Sequence, residues 1–149
     1  MAVLESFSLL LNKQVQTQKK LLEIEGQKTA ILAKGDIDGL DALLKLEQPL
    51  VMHIAALERR HEALRLKLEH EGMGFRQLMD GPEKNQAGAV EAGLSELADT
   101  AGRLKRVVHI NMGILNARQR AIAQILSFCG VQEQPFTYGR DGRLQAGGI

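Results

Sequence analysis

Four histidines and one cysteine are the side chains of this chain best suited to metal binding or nucleophilic chemistry. Glu58 and His61 form a Glu-x-x-His step, the pair that supplies half of a carboxylate di-iron site in helical bundles. The other half would need a second such pair and two further inward carboxylates. His109 has Arg106 three residues before it, and neither His53 nor His70 has an acid at that spacing. His53 and His61 are eight apart, nearly on one helical face near Glu58 and Glu62. A zinc site there would draw further ligands from another element, and the last third of the chain offers only His109. Cys129 falls at a helix C-terminus, where the dipole raises a thiol's pKa and disfavours the nucleophilic thiolate. No glycine follows a strand and opens a helix, so there is no phosphate-binding loop. The residues predict no enzyme, no metal and no cofactor; a metalloprotein bundle built on Glu58 and His61 is the lesser alternative.

Composition narrows the class further. A chain of 149 residues is long enough for one domain with a real core. That core must be aliphatic, since aromatic residues make up 3% and Trp is absent. Aliphatic, Gln-rich and charge-rich segments with few aromatics favour helices over strands. The formal net charge of +1 gives no field that steers nucleic acid. The run from Arg103 to Arg120 holds five of the cations and no acid. It lacks the interleaved aromatics of a nucleic-acid module, and reads as a solvated face or a docking surface for an acidic protein segment. A lone cysteine excludes an intrachain disulfide, no apolar run approaches a membrane span, and the N-terminus has no basic leader region, so the cytoplasm is the expected location.

The elements that would position these residues are three long helices. The first runs from about Ala2 to Ala33, with Leu4, Leu11, Val15, Leu22 and Leu32 on a stripe that Phe7, Leu21 and Ile31 widen. Gln14, Gln16 and Gln18 dilute its middle, which predicts loose packing or a face turned partly to water there. Gly35 suits a helix C′ position, and Asp36 or Asp38 suits the cap of the next helix. The second carries a seam of Leu40, Leu43, Glu47, Leu50, Ile54, Leu57, His61, Leu64 and Leu68, spaced by threes and fours as in a coiled coil. Pro49 inside it predicts a kink, with a break as the alternative. Phe75 to Met79 has room for one short turn.

After the Asp80-Gly81-Pro82 turn signal, the third helix runs from about Lys84 to Cys129. Leu94, Leu97, Ala101, Leu104, Val108, Leu115, Ile122 and Ile125 make one stripe, interrupted by Asn111 and Arg118. Val107, Ile110, Ile114, Ala117, Ala121 and Phe128 make a second, roughly 100° away. Gly88, Gly93, Gly102 and Gly113 weaken this helix or let a neighbour approach closely. The fold class is therefore all-α: an elongated antiparallel, coiled-coil-like bundle over residues 1–130, with a short non-helical, flexible tail over 131–149. One apolar stripe of the third helix docks on the chain's own core. The other is either bundle core or a groove for an amphipathic helix from another chain. Phe136 and Tyr138, in a Gly- and Pro-bearing extension, read as an exposed linear docking element, with a tail folded back on the bundle as the alternative.

In its order of features the chain resembles the FlgN-type flagellar export chaperones. The resemblance rests on the Leu-rich first helix and the Leu32-Ala33-Lys34-Gly35-Asp36-Ile37-Asp38-Gly39-Leu40 junction. Leu57-Glu58-Arg59-Arg60, Asn111-Met112-Gly113-Ile114-Leu115 and Tyr138-Gly139-Arg140-Asp141-Gly142 continue it. It implies a cytoplasmic chaperone that binds the C-terminal amphipathic segments of hook-associated proteins, prevents their premature assembly and delivers them to a component of the flagellar export gate. By position it implies a client surface at Leu104, Val108, Ile114, Leu115, Ile122 and Ile125, with Tyr138 as the gate-docking residue. A generic coiled-coil adaptor is the alternative, and a homodimer burying the same stripe competes with the client.

Overall fold

The computed structural model describes residues 3–72, 76–77, 80, 84–130, 136–138 and 144–146, the last two segments by their backbone. Three helices dominate: α1 over Val3–Lys34, α2 over Ile37–His70 and α3 over Lys84–Phe128. Two short strands follow, β1 (Phe136–Tyr138) and β2 (Leu144–Ala146), paired antiparallel with Phe136 opposite Ala146 and Tyr138 opposite Leu144. No helix is long and apolar enough to cross a membrane among the described residues.

Local chemistry sets the first turn of the chain. The Gly35 amide donates to the Leu32 carbonyl at 3.2 Å and the Asp36 amide to Ile31 at 3.2 Å, the paired bonds of a Schellman ending. That ending needs the left-handed backbone that Gly35 adopts at φ 71°. Asp36 then caps α2, its carboxylate accepting from the Gly39 amide at 3.0 Å. One residue pair thus stops α1 and starts α2, which forces the two helices antiparallel. α2 runs unbroken through Pro49, which is exposed and forgoes one main-chain hydrogen bond. Arg76 and Gln77 are helical, and the Asp80 amide closes a turn on the Arg76 carbonyl at 3.0 Å; the rest of the Phe75–Met79 turn lies outside the described residues.

α1 is the central helix. α2 packs on one side of it and α3 on another, while α2 and α3 scarcely approach each other's backbone. The contacts give the directions. Phe7 and Gln14 meet His61 and Lys28 meets Glu47, so α2 is antiparallel to α1. Leu11 lies against Gly93, Glu25 against Asn111 and Leu32 against Arg118, so α3 is parallel to α1. The main core sits at one end, where Leu4, Phe7 and Leu11 of α1, Leu68 of α2 and Ala87 and Val90 of α3 form one cluster. Full burial of each such Leu or Phe is worth about 1.5–3 kcal/mol. Gly93 is the close-approach glycine: a Cβ there would stand 3.2 Å from the Leu11 side chain, whereas Gly88 and Gly113 face open space.

The predicted seam of α2 is the one the fold uses. Leu43, Leu57 and Leu68 are buried, and Leu40, Glu47, Leu50, Ile54, His61 and Leu64 are half-buried. In the middle of α1, Gln16 faces water and Gln18 is half-buried, as its glutamines suggest, but Gln14 is interior. Gln14 is buried with its Oε1 3.0 Å from His61 Nδ1, and Phe7 meets the His61 ring edge-on at 5.1 Å. A seam histidine makes that glutamine an interior residue.

Candidate functional site

The helices bring together two different sets of residues on α3. On the face toward α1, Asn111 and Arg118, which interrupt the apolar stripe, are the polar anchors of the α1–α3 interface. Asn111 is 2% exposed and makes three hydrogen bonds. Its Nδ2 donates to the Glu25 carbonyl at 2.9 Å and to Glu25 Oε2 at 2.8 Å, and its Oδ1 accepts from the Thr29 hydroxyl at 2.5 Å. Lys28 bridges Glu25 (3.5 Å) and Glu47 of α2 (2.9 Å), so one polar layer ties all three helices. Burial pushes the Glu25 carboxyl above its ordinary range; Lys28 and the Asn111 amide pull it back, and Glu47 adds to the rise. Arg118 closes the far end, its Nε donating to the Leu32 carbonyl at 2.5 Å and its Nη2 to Ala33. These carbonyls end α1, where a cation also meets the negative end of the helix dipole.

α3 outruns its partner. Arg118 sits at the end of α1, and α3 runs on to Phe128, an overhang of about 15 Å at 1.5 Å per residue. The α1-facing stripe continues into that overhang and is more exposed there. Ile122 is 57% exposed and Ile125 63% exposed, against half-burial for Leu104, Val108, Ile114 and Leu115. The six expected client-surface residues therefore divide. Leu104, Val108 and Leu115 flank Asn111 on the side turned to α1, Ile114 sits at the edge of that side, and Ile122 and Ile125 stand free beyond it.

The second stripe lies further round α3. Ile110 is 52% exposed, Ala117 and Ala121 are exposed and Phe128 is 94% exposed, while Val107 and Ile114 are half-buried at its inner edge. The exposed cations Arg103 and Arg106 share its flank and Arg120 lies beside its far part, while Lys105 and His109 are exposed further round the helix. None of these forms an ion pair or side-chain hydrogen bond among the described residues. β1 lies against α3, so the extension returns to the bundle at its backbone; the side chain of Tyr138 is outside the described residues.

The metal-binding candidates are scattered. Glu58 points to solvent while His61 turns inward to Gln14 and Phe7, and His53 and His109 are exposed on separate helices. No group of three metal-ligating side chains forms among the described residues. Cys129 is exposed, directly after α3. Glu25 and Glu47 were invisible as a pair in the sequence. The one available signal was Asn111, a polar residue at an apolar seam position.

Three long helices in an open layer, with aliphatic side chains exposed on the longest, define an all-α helical protein. Residues 1–146 match the FlgN protein family, and the chain belongs to it; this is a family of flagellar export chaperones. No curated protein and no solved structure matches the chain.

Proposed function

We infer that this protein is a cytoplasmic chaperone for hook-associated proteins. It holds their C-terminal segments as amphipathic helices on α3, prevents their premature assembly and delivers them to the export gate. The observation that supports the reading is the overhang of α3, where Ile122 and Ile125 continue an interface stripe and are more than half exposed. An aliphatic stripe recognises an apolar repeat by spacing, and a client that must order itself on binding remains releasable. Release then requires no bond to be broken by this protein, and no residue here is assigned a catalytic role. Tyr138, on β1, which lies against α3, is the residue we assign to gate docking.

Calorimetric titration of the full chain with C-terminal peptides of its own organism's hook-associated proteins tests this. Submicromolar binding with a negative heat-capacity change is the expected result. Absence of binding to every one of them would overturn it and leave an adaptor of the same architecture.

A further inference from the structure

α2 is held to α1 unevenly along its length. Its C-terminal half buries Leu57 and Leu68, and Leu68 belongs to the main core. Between Ile37 and Gln48, Leu43 alone is buried. This N-terminal half also carries Glu47, whose carboxylate lies 2.9 Å from Lys28 Nζ. The two halves meet at Pro49, which cannot donate to the Lys45 carbonyl one turn back. The layer at Glu47 is short of positive charge. Glu25 and Glu47 bring two carboxyls to the single Lys28 ammonium. Side-chain exposures of 4% for Glu25, 20% for Glu47 and 12% for Lys28 leave little water to screen them. From α3 the Glu25 carboxyl meets the uncharged Asn111 amide, so that helix brings it no cation.

We propose that the N-terminal half of α2 is a proton-controlled arm: a proton bound at the Glu25–Glu47 pair clamps it to α1, and loss of that proton to water releases it at Pro49. With the proton in place the layer holds one ammonium and one carboxylate and is neutral. Without it, two carboxylates compete for Lys28, and one negative charge stays uncompensated where little water reaches. The direction of the Glu25 titration agrees. Burial and Glu47 push its carboxyl above the ordinary 4.5, against the pull of Lys28 and Asn111. The clamp is therefore complete below 4.5 and weakens as pH rises through the raised value. The rest of the bundle is anchored elsewhere. Arg118 stays on the Leu32 and Ala33 carbonyls, and the cluster of Leu4, Phe7, Leu11 and Leu68 lies at the other end. Release bares Leu43 and the face of α1 that carries Lys28. No client enters this mechanism, so it stands or falls apart from the chaperone reading.

Native-state hydrogen exchange on the full chain tests this, read amide by amide between about pH 5 and 8 and corrected for intrinsic rates. A segment of about twelve residues is marginal as a free helix, so a released arm melts and its amides exchange. Leu43 to Gln48 are expected to exchange faster than Leu57 to Leu68 at every pH, with the step in protection at Pro49. Protection of Leu43 to Gln48 is expected to fall about tenfold as pH rises across the range. In Glu25→Gln, which keeps the shape of the side chain, that fall is expected to vanish. In Glu47→Gln, which leaves Lys28 to Glu25 alone, it is expected to shrink to about twofold or less. Equal protection on the two sides of Pro49 would overturn the arm. A fall with pH that persists in Glu25→Gln, or protection that rises with pH in the wild type, would overturn the proton control.

Discussion

Removing the Asn111 side chain should destabilise the protein more than a half-buried leucine would, because it strands a buried charge. In Asn111→Ala three hydrogen bonds disappear. Thr29 is not stranded, since its hydroxyl also lies 3.1 Å from the Glu25 carbonyl and can turn to it. The Glu25 carboxylate has no such recourse. Its remaining charge partner is Lys28 at 3.5 Å, which Glu47 holds more closely at 2.9 Å. Loss of a partner from a buried polar group costs about 1–3 kcal/mol, more when it is charged. With the small void left by the amide, the total is about 3 kcal/mol. For a chain of this size that corresponds to a fall in Tm of roughly 10 °C. Urea unfolding followed by circular dichroism reads it directly. A double-mutant cycle with Glu25→Gln isolates the Glu25–Asn111 coupling, expected at about 1–2 kcal/mol. A cost below 1 kcal/mol with coupling near zero would mean that water replaces the amide and that this layer is not an anchor.

Glu25→Gln carries its own pH signature. The folded carboxyl titrates above its ordinary value of 4.5, so its stabilising contribution is complete below 4.5 and is lost as pH rises through the raised value. The variant is expected to flatten that part of the stability curve and to be no less stable at neutral pH; an unchanged curve refutes the assignment. Gly35→Ala should cost about 1–2 kcal/mol in thermal unfolding, because its left-handed backbone strains an alanine and the new Cβ would stand 2.9 Å from Arg118 Nη1. Gly113→Ala, which meets open space, should instead raise Tm by a few degrees, and a fall would show that this turn of α3 must bend. Tyr138→Ala should leave client affinity near wild type and impair export, read as swimming in soft agar; normal motility counts against gate docking.

What was legible in the sequence was local. The α2 seam could be read because Leu43, Leu57 and Leu68 repeat at helical spacing, and the α1–α2 turn because Gly35 and Asp36 each have one favoured place at a helix end. Which helix lies in the middle was not legible. α3 carries the widest apolar surface, as a central helix would, yet α1 holds that place and one stripe of α3 faces outward. Periodicity reports that a face is apolar and says nothing of what covers it. Glu25 escaped for a related reason: one carboxylate on a long amphipathic helix reads as surface, and its partner Asn111 stands 86 residues away. Arg118 read as a gap in a stripe, because the α1 carbonyls it serves belong to the fold.

Those same polar contacts argue for where a client can sit. The α1–α3 register is held by Asn111 on Glu25 and by Arg118 on the end of α1. A slip of one turn would set Asn111 against Leu21 or Leu22 and carry Arg118 off its carbonyls. A client helix that displaced α1 would have to break both contacts and expose Leu11, Val15 and Leu32, all buried now. A helix that adds to the bare flank or to the overhang breaks neither. It gains Ile110, Ile122 and Ile125, which already face water, and gives them back on release without disturbing the bundle. On the proposed chaperone reading, reversible capture would use that division: the interrupted stripe is committed to α1 by its polar interruptions, and the exposed surface beyond it is where another chain would bind.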